Sequence, residues 1–529
     1  MSKKGKALKS VTFPLVFLAF SVIAAILFRS FRATWVFIDT AVKIEGFTMI
    51  LLSLMTLTAI LLGILSALRI YETRAGNDAC FNKKAYSVLL IIGAVGASAF
   101  LIFTIIYALG IVFTENLQIF SLNLKKSLTE AAPLIIIPSL LIFYPKLGKK
   151  AKYTVLSAGL VIAAISGINT FSPLSAYKIT SVPMVIDNGK EYSIVFSTSD
   201  YGTAYVEYSF DGQDYKIFDQ TGGRLNSDRK IHNIAVPYEH LRNNSYKVSS
   251  TRVIEEFSYG SRTGKTVTSD EYTFRYNNSE NQTWLVISDW HTLLDEAYDA
   301  IGSFECDYDS VILLGDSSPG VDYEEQVITN TVQFGGEVSK GTKPVIYVRG
   351  NHETRGGYAN DLPKALGLEQ LYYTADIGPY SFVVLDSGED KDDSHHEYGG
   401  MTDYNTYRAD MIEWLKKVNV TNDKVIALSH SWKISDVEPE LSEAGWAELD
   451  RLGTRLIISG HTHACRFIGE ESDYEKEIFG KYPDIVGYMD GGKTEKDYIA
   501  SLLTLKGDGF EIRAIDNNKN EIIKESFDW

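Results

Sequence analysis

The feature that most constrains this 529-residue chain is an abrupt change of solvent preference near residue 176. Before that point five apolar stretches follow one another, at about residues 11–28, 46–68, 87–113, 131–144 and 153–171. A helix needs about 20 mostly apolar residues to cross a bilayer, and the first, second, third and fifth stretches supply them. The fourth is short and carries Pro133 and Pro138, so it reads as a kinked span or one that borrows residues from the loop before it. Charge changes with hydropathy: residues 1–176 hold 17 Lys and Arg against 6 Asp and Glu, a net of +11, whereas the remainder nets −27. Two such halves imply a multi-domain chain. Residues 1–173 read as an all-α transmembrane region of about five helices.

Basic residues give that region a direction. Lys3, Lys4, Lys6 and Lys9 precede the first stretch; Arg69, Arg74, Lys83 and Lys84 follow the second; Lys146, Lys149, Lys150 and Lys152 follow the fourth. Lys and Arg concentrate on the cytoplasmic side. The expectation is therefore a multi-pass cell-membrane protein with a cytoplasmic N-terminus and everything after the fifth span outside the cytoplasm. Treating the first stretch as a cleaved signal peptide leaves that last placement unchanged. No span has an ionisable residue near its middle, where a transport or relay site would show itself, so the region reads as an anchor in the lipid bilayer. The acidic back half argues against nucleic acid as a main partner, because phosphate-backbone binding needs clustered Lys and Arg. Cys80, Cys306 and Cys465 are too few for a disulfide framework; they read as isolated buried thiols, with a Cys306–Cys465 pair as the alternative.

Residues 178–280 change character. Runs rich in Val, Ile, Tyr and Thr, at residues 192–198, 204–210, 231–236, 246–254 and 271–276, are punctuated by Asp211-Gly212 and Gly222-Gly223. Period-two alternation with turns at this spacing predicts a small all-β antiparallel sandwich. It resembles a fibronectin type III module and, more narrowly, the N-terminal sandwich of purple acid phosphatases, on Tyr205-Val206-Glu207-Tyr208 and the later pattern of His232 to Val236, Leu241, Tyr246 and Val248. His232 and His240 read as ordinary sandwich histidines. Asn243, Asn277, Asn281 and Asn419 stand in glycosylation-type triplets.

From Trp284 to the C-terminus the pattern becomes apolar strand, polar turn, helix, and the strands share one property. Residues 284–287 run into Asp289 and His291, 311–314 into Gly315-Asp316, 345–348 into Arg349-Gly350-Asn351-His352-Glu353, 425–428 into Ser429-His430, and 456–458 into Gly460-His461-Thr462-His463. In α/β folds the loops at the carboxyl ends of strands converge on a ligand site. Carboxylate, amide oxygen and imidazole meeting there suit Mn, Fe or Zn, and the lack of clustered Cys argues against a structural zinc or iron–sulfur site. Asp289 and His291, like His461 and His463, lie two apart, so both members of each pair can face one side of an extended segment. Gly350 and Gly460 leave room for tight turns.

Asp-x-His, Gly-Asp, Gly-Asn-His-Glu, His and Gly-His-Thr-His in this order resemble the calcineurin-like metallophosphoesterase superfamily, over about residues 284–470. The resemblance implies an α/β fold of αββα layers for residues 284–529 and two metal ions. One would be held by Asp289, His291 and His463, the other by Asn351, His430 and His461, with Asp316 bridging both. It further implies a bridging hydroxide that attacks phosphorus, and His352 as the non-ligand histidine that donates a proton to the leaving oxygen. The family often has Asp, Asn or Tyr three residues after the motif's aspartate; here Pro319 stands there, and coloured ferric chemistry is not implied. Arg349 replaces a common Pro and reads as a surface residue, with a substrate contact as the alternative. The stretch 386–398, with Asp390, Asp392, Asp393, His395 and His396, reads as a solvated acidic loop, with a lid over the metals as the alternative. Arg355 and Arg408 are weaker candidates for the substrate phosphate. The expected activity is hydrolysis of a phosphomonoester or phosphodiester outside the cytoplasm. The rival expectation is a non-catalytic membrane receptor or sensor with a vestigial phosphoesterase domain, against which the full ligand set argues.

Overall fold

The computed structural model describes residues 177–529 except 258, 259 and 495. The five expected spans and the topology inferred from them lie outside the described residues, and among the described residues no helix is long and apolar enough to cross a membrane. Residues 177–253 and 265–529 form one compact unit.

Two sheets carry that unit. The first runs, edge to edge, through Glu521–Asp528, Gly509–Asp516, Tyr498–Leu505, Gln282–Ile287, Ser310–Leu313, Pro344–Tyr347, Met184–Asp187, Tyr192–Ser197 and Ile231–Val236. The second runs through Tyr373–Ile377, Tyr380–Leu385, Lys424–Ser429, Thr454–Ser459, Val486–Met489 and Arg466–Ile468. Parallel pairing puts three consecutive strands of the first sheet in register, Leu285 beside Val311 and Val311 beside Val345. The second does the same with Phe382 beside Ile426 and Ile426 beside Leu456. Each run of parallel strands therefore delivers its loops to one end.

Side-chain alternation decides the layers. Phe382, Val384, Ile426, Leu428, Leu456 and Ile458 share one core with Trp284, Val286 and Leu502 of the first sheet, and the Trp284 and Phe382 rings meet at 4.5 Å. Their neighbours Val383, Leu385, Val425, Ala427 and Ile457 point the other way. They pack against Met411 and Leu415 of helix Tyr404–Leu415, Trp446 and Leu449 of helix Pro439–Arg451, and Ile478 of helix Asp473–Lys481. Helices Leu294–Gly302 and Phe334–Ser339 pack on the first sheet through Ala297, Ala300, Phe334 and Val338. The result is the expected αββα arrangement.

The segment read as a separate sandwich is joined more closely than its pattern suggested. It does build two facing β layers. Tyr205 to Tyr208 pair with Ser249 to Tyr246 in the outer layer, and Val206, Tyr208, Tyr246 and Val248 bury against Ile194, Phe196 and Ile234. The inner layer, however, belongs to the large sheet: Val185 and Ile186 pair in parallel with Pro344 and Val345. The cause is visible in Met184–Asp187 and Tyr192–Ser197, whose residues are buried on both faces. Met184, Ile186 and Val195 face the phosphoesterase-side core while Val185, Ile194 and Phe196 face the sandwich core. No boundary at residue 280 interrupts this sheet. Cys306 and Cys465 are free thiols, and Cys306 is exposed rather than buried.

Candidate metal centre

All eight residues singled out at the strand tips converge. Asp289 follows Gln282–Ile287, Asp316 follows Ser310–Leu313, Asn351 and His352 follow Pro344–Tyr347, His430 follows Lys424–Ser429, and His461 and His463 follow Thr454–Ser459. Asp289 Oδ1 lies 4.0 Å from His291 Nε2, 3.9 Å from His430 Nε2 and 3.8 Å from His463 Nε2. Asp316 Oδ2 lies 3.2 Å from His430 Nε2, 3.6 Å from His291 Nε2 and 3.8 Å from His352 Nε2. Atoms that each sit about 2.1 Å from one ion stand roughly 3–4 Å apart, so these gaps have the size of a coordination polyhedron.

Three metal-type groups follow from these contacts: Asp289 with His291 and His463, Asp316 with His430 and His461, and His291 with Asp316 and His352. The first two contain residues expected for the two ions, and the Asn351 side-chain amide lies beside the second, 3.2 Å from His461 Nδ1, 3.2 Å from Asp316 Oδ2 and 3.3 Å from His430 Nε2. Asp289 Oδ1 and His291 Nε2 are buried without a hydrogen-bond partner. A buried acceptor without a donor is costly, and a cation shared by these atoms would satisfy them. The residues fit a pair of divalent ions.

The rings are aimed from behind. His430 Nδ1 donates to the Leu314 carbonyl at 2.6 Å, His463 Nδ1 to the Lys493 carbonyl at 2.5 Å, and His352 Nδ1 to the Pro319 carbonyl at 3.0 Å. A carbonyl can only accept, so each Nδ1 bears the proton and each Nε2 is turned into the site. His461 is reversed, with Nδ1 inward. The backbone is under strain here: Asp289, His291, Asp316, His461 and His463 all have φ between 37° and 71°, a conformation that non-glycine residues hold only when their surroundings impose it. A Cβ on Gly350 would stand 2.2 Å from Asp316 Oδ1, and one on Gly460 would stand 2.4 Å from Asp289 Oδ2. Both glycines therefore let the chain approach a ligand directly.

Burial pushes His291 down to about 4 and also lowers His461, which keeps both rings neutral, as ligands must be. His430 goes the other way. Burial opposes its charge, but Asp316 and Asp289 outweigh that and lift it to about 10. Cation binding must therefore displace a proton from His430. Affinity is expected to rise about tenfold per pH unit between roughly pH 6.5 and 8.5. Equilibrium dialysis with Mn²⁺ across that range checks this, and a flat profile would contradict the His430 assignment.

Glu353, which the sequence pattern placed in a motif without a task, is the structural keystone of the Asp316 loop. Wholly buried, it accepts the N–H groups of Asp316, Ser317 and Gly350 at 2.8, 2.5 and 3.0 Å and the Ser317 hydroxyl at 2.6 Å. Arg355 stands beside the site. Its Nε and Nη2 bind the Glu389 carboxylate at 2.6 and 2.7 Å, and its Nη1 lies 3.4 Å from His352 Nδ1. Two other readings are corrected. Arg408 is fully buried, donating to Glu438, Asn405 and the carbonyls of Ser387 and Glu389, so no substrate reaches it. Arg349 is neither a surface residue nor a substrate contact: it pairs with buried Asp386 at 2.8 Å between Tyr404 and Tyr407. The acidic stretch is only partly solvated, since Asp386 and Glu389 are buried and Asp393 accepts the N–H groups of Tyr404 and Asn405.

A layered α/β scaffold gathers clustered Asp and His at its strand ends, as a metal-binding site requires. Residues 283–465 match the family model described as calcineurin-like phosphoesterase, and form a calcineurin-like metallophosphoesterase domain. Among solved structures the chain is similar to PhoD, at 13% identity over 66% of this chain and 90% of that one, with a TM-score of 0.39. It is also similar to GAP50, the anchor in the inner membrane complex of Plasmodium, at 14% identity over 47% of this chain and 89% of that one, TM-score 0.33. A predicted phosphoesterase from Streptococcus pneumoniae matches at 13% identity over 47% and 99%, TM-score 0.24. At these scores they remain similarities and nothing more. No curated protein matches the chain.

Proposed function

We propose that the chain is a membrane-anchored, metal-dependent phosphoesterase whose catalytic domain works outside the cytoplasm on a phosphomonoester or phosphodiester. The observation that carries the catalytic part is the pair of ligand groups sharing the Asp316 neighbourhood. Bound there, two divalent cations would supply Lewis acidity toward phosphoryl oxygens and lower the pKa of water. The chain's own residues do the rest. Asp289, His291, His463, Asn351, His430, His461 and Asp316 would hold the ions, and His352, about a quarter exposed and with Nε2 facing the site, is placed to give a proton to the departing oxygen. The anchoring and the orientation are supported by the apolar stretches and the distribution of Lys and Arg before residue 176.

Arg355 is assigned to the substrate phosphate. Glu389 fixes its planar head by two parallel hydrogen bonds, leaving Nη1 beside His352. Arg355→Lys keeps the charge but not the fork, and is expected to lower kcat/KM about 10–100-fold with bound metal unchanged. The overall assignment is tested by hydrolysis of p-nitrophenyl phosphate and bis-p-nitrophenyl phosphate by the full chain in detergent with Mn²⁺, Fe²⁺ or Zn²⁺. Metal-dependent turnover of either supports it; a metal-loaded preparation inert toward both, and toward a broad set of phosphate esters, would remove it. Protection of the C-terminal half from external protease in intact cells would remove the proposed orientation.

A further inference from the structure

One buried segment contacts two of the loops that hold the ligands, and the ligand set does not account for it. Residues Ile328–Gln333 form a π-helical turn between helices Glu324–Val327 and Phe334–Ser339. Such turns are wider than α-helical ones and gather at functional sites. The Asn330 carbonyl accepts the indole N–H of Trp290 at 2.7 Å. The next residue, Thr331, donates its hydroxyl to Ser317 Oγ at 3.2 Å, and Ser317 passes a hydrogen bond on to Glu353 Oε1 at 2.6 Å.

The two contacts fall beside ligands. Trp290 separates Asp289 from His291; it is fully buried, with its ring stacked on Phe334 at 5.1 Å. Ser317 follows Asp316. The N–H groups of Asp289, His291 and Thr292 donate to the carbonyls of Gly315, Asp316 and Ser317, each at 3.0 Å, so the two loops are tied into one piece. In that piece Asp289, His291, Thr292 and Asp316 all have φ between 37° and 71°. Relaxation of any of them would turn a ligand away.

We propose that Trp290 and Thr331 are positioning residues, through which the π-helical turn holds Asp289, His291 and Asp316 in the strained conformation that a pair of cations requires. The inference rests on the two-cation reading above. Outer hydrogen-bond partners of ligands commonly set metal affinity by about 10–100-fold, and these two act on the ligand shared by both ions and on two ligands of one.

The test uses the full chain in detergent, Mn²⁺ as the probe, and two readouts: binding by equilibrium dialysis and the thermal midpoint of the metal-free protein. Thr331→Val keeps the shape and removes the donor; Thr331→Ser keeps the donor; Trp290→Phe keeps a ring and removes the N–H. The parent is expected to bind two Mn²⁺. Thr331→Val and Trp290→Phe should weaken binding about 10–100-fold, Thr331→Ser should bind as the parent does, and the metal-free midpoint of Thr331→Val should stay within about 3 °C. Parent-like binding by Thr331→Val would overturn the proposal, as would equal losses in Thr331→Ser and Thr331→Val, or a midpoint that falls in step with affinity. A parent that binds no Mn²⁺ would overturn the two-cation reading itself, and this inference with it.

Discussion

Asp316→Ala is expected to lose both bound cations and to lower kcat/KM by about 10³–10⁴-fold or more. Asp316 is the only carboxylate in two of the three metal-type groups, and its Oδ2 lies 3.2 Å from His430 and 3.6 Å from His291, one ligand from each proposed ion. Its Oδ1 also accepts the N–H of His352 at 2.9 Å, so the substitution frees the loop that carries the proton donor. Metal content and turnover measured on the same preparation check the result. Retention of two tightly bound ions in Asp316→Ala would show that this side chain does not bridge them.

His352→Ala should produce a loss that depends on the leaving group. General acid help is worth about 10²–10⁴-fold where the departing oxygen is basic, and little where it is a nitrophenolate that leaves unaided. An alkyl phosphate should therefore lose its turnover almost entirely while p-nitrophenyl phosphate is hydrolysed nearly as before. The His352 ring is anchored through Nδ1 to Pro319 and meets the His291 ring edge-on at 4.9 Å, without belonging to either of the two expected ligand sets. Equal losses on both esters would place His352 among the ligands instead.

The ligands were legible in the chain because each stands within four residues of the end of an apolar strand, and parallel pairing then brings strand ends together. The contacts that aim those ligands were not legible. Glu353 takes its role from three N–H groups on two different loops, a convergence that only the paired strands create. Arg349 looked like a departure from a motif, and its partner Asp386 comes from the other sheet. Arg408 sits on a helix whose polar face would ordinarily be solvated, yet Glu438 and two carbonyls enclose it. Strands Tyr192–Ser197, Gly202–Phe210 and Ile231–Val236 lie close to where the alternation put them, whereas Met184–Asp187 and Gln213–Phe218 were not legible. The partnership of Met184–Asp187 with Pro344–Tyr347 was hidden, because burial on both faces looks the same in sequence whichever sheet a strand joins.

Seven side chains from five strand ends are proposed to hold two cations. Anomalous diffraction from crystals of the protein prepared with Mn²⁺, measured at the manganese edge, tests this most directly. Two peaks about 3.5–4 Å apart are expected, one within Asp289, His291 and His463, the other within Asn351, His430 and His461, with Asp316 between them. A single peak, or peaks away from these residues, would contradict the proposal.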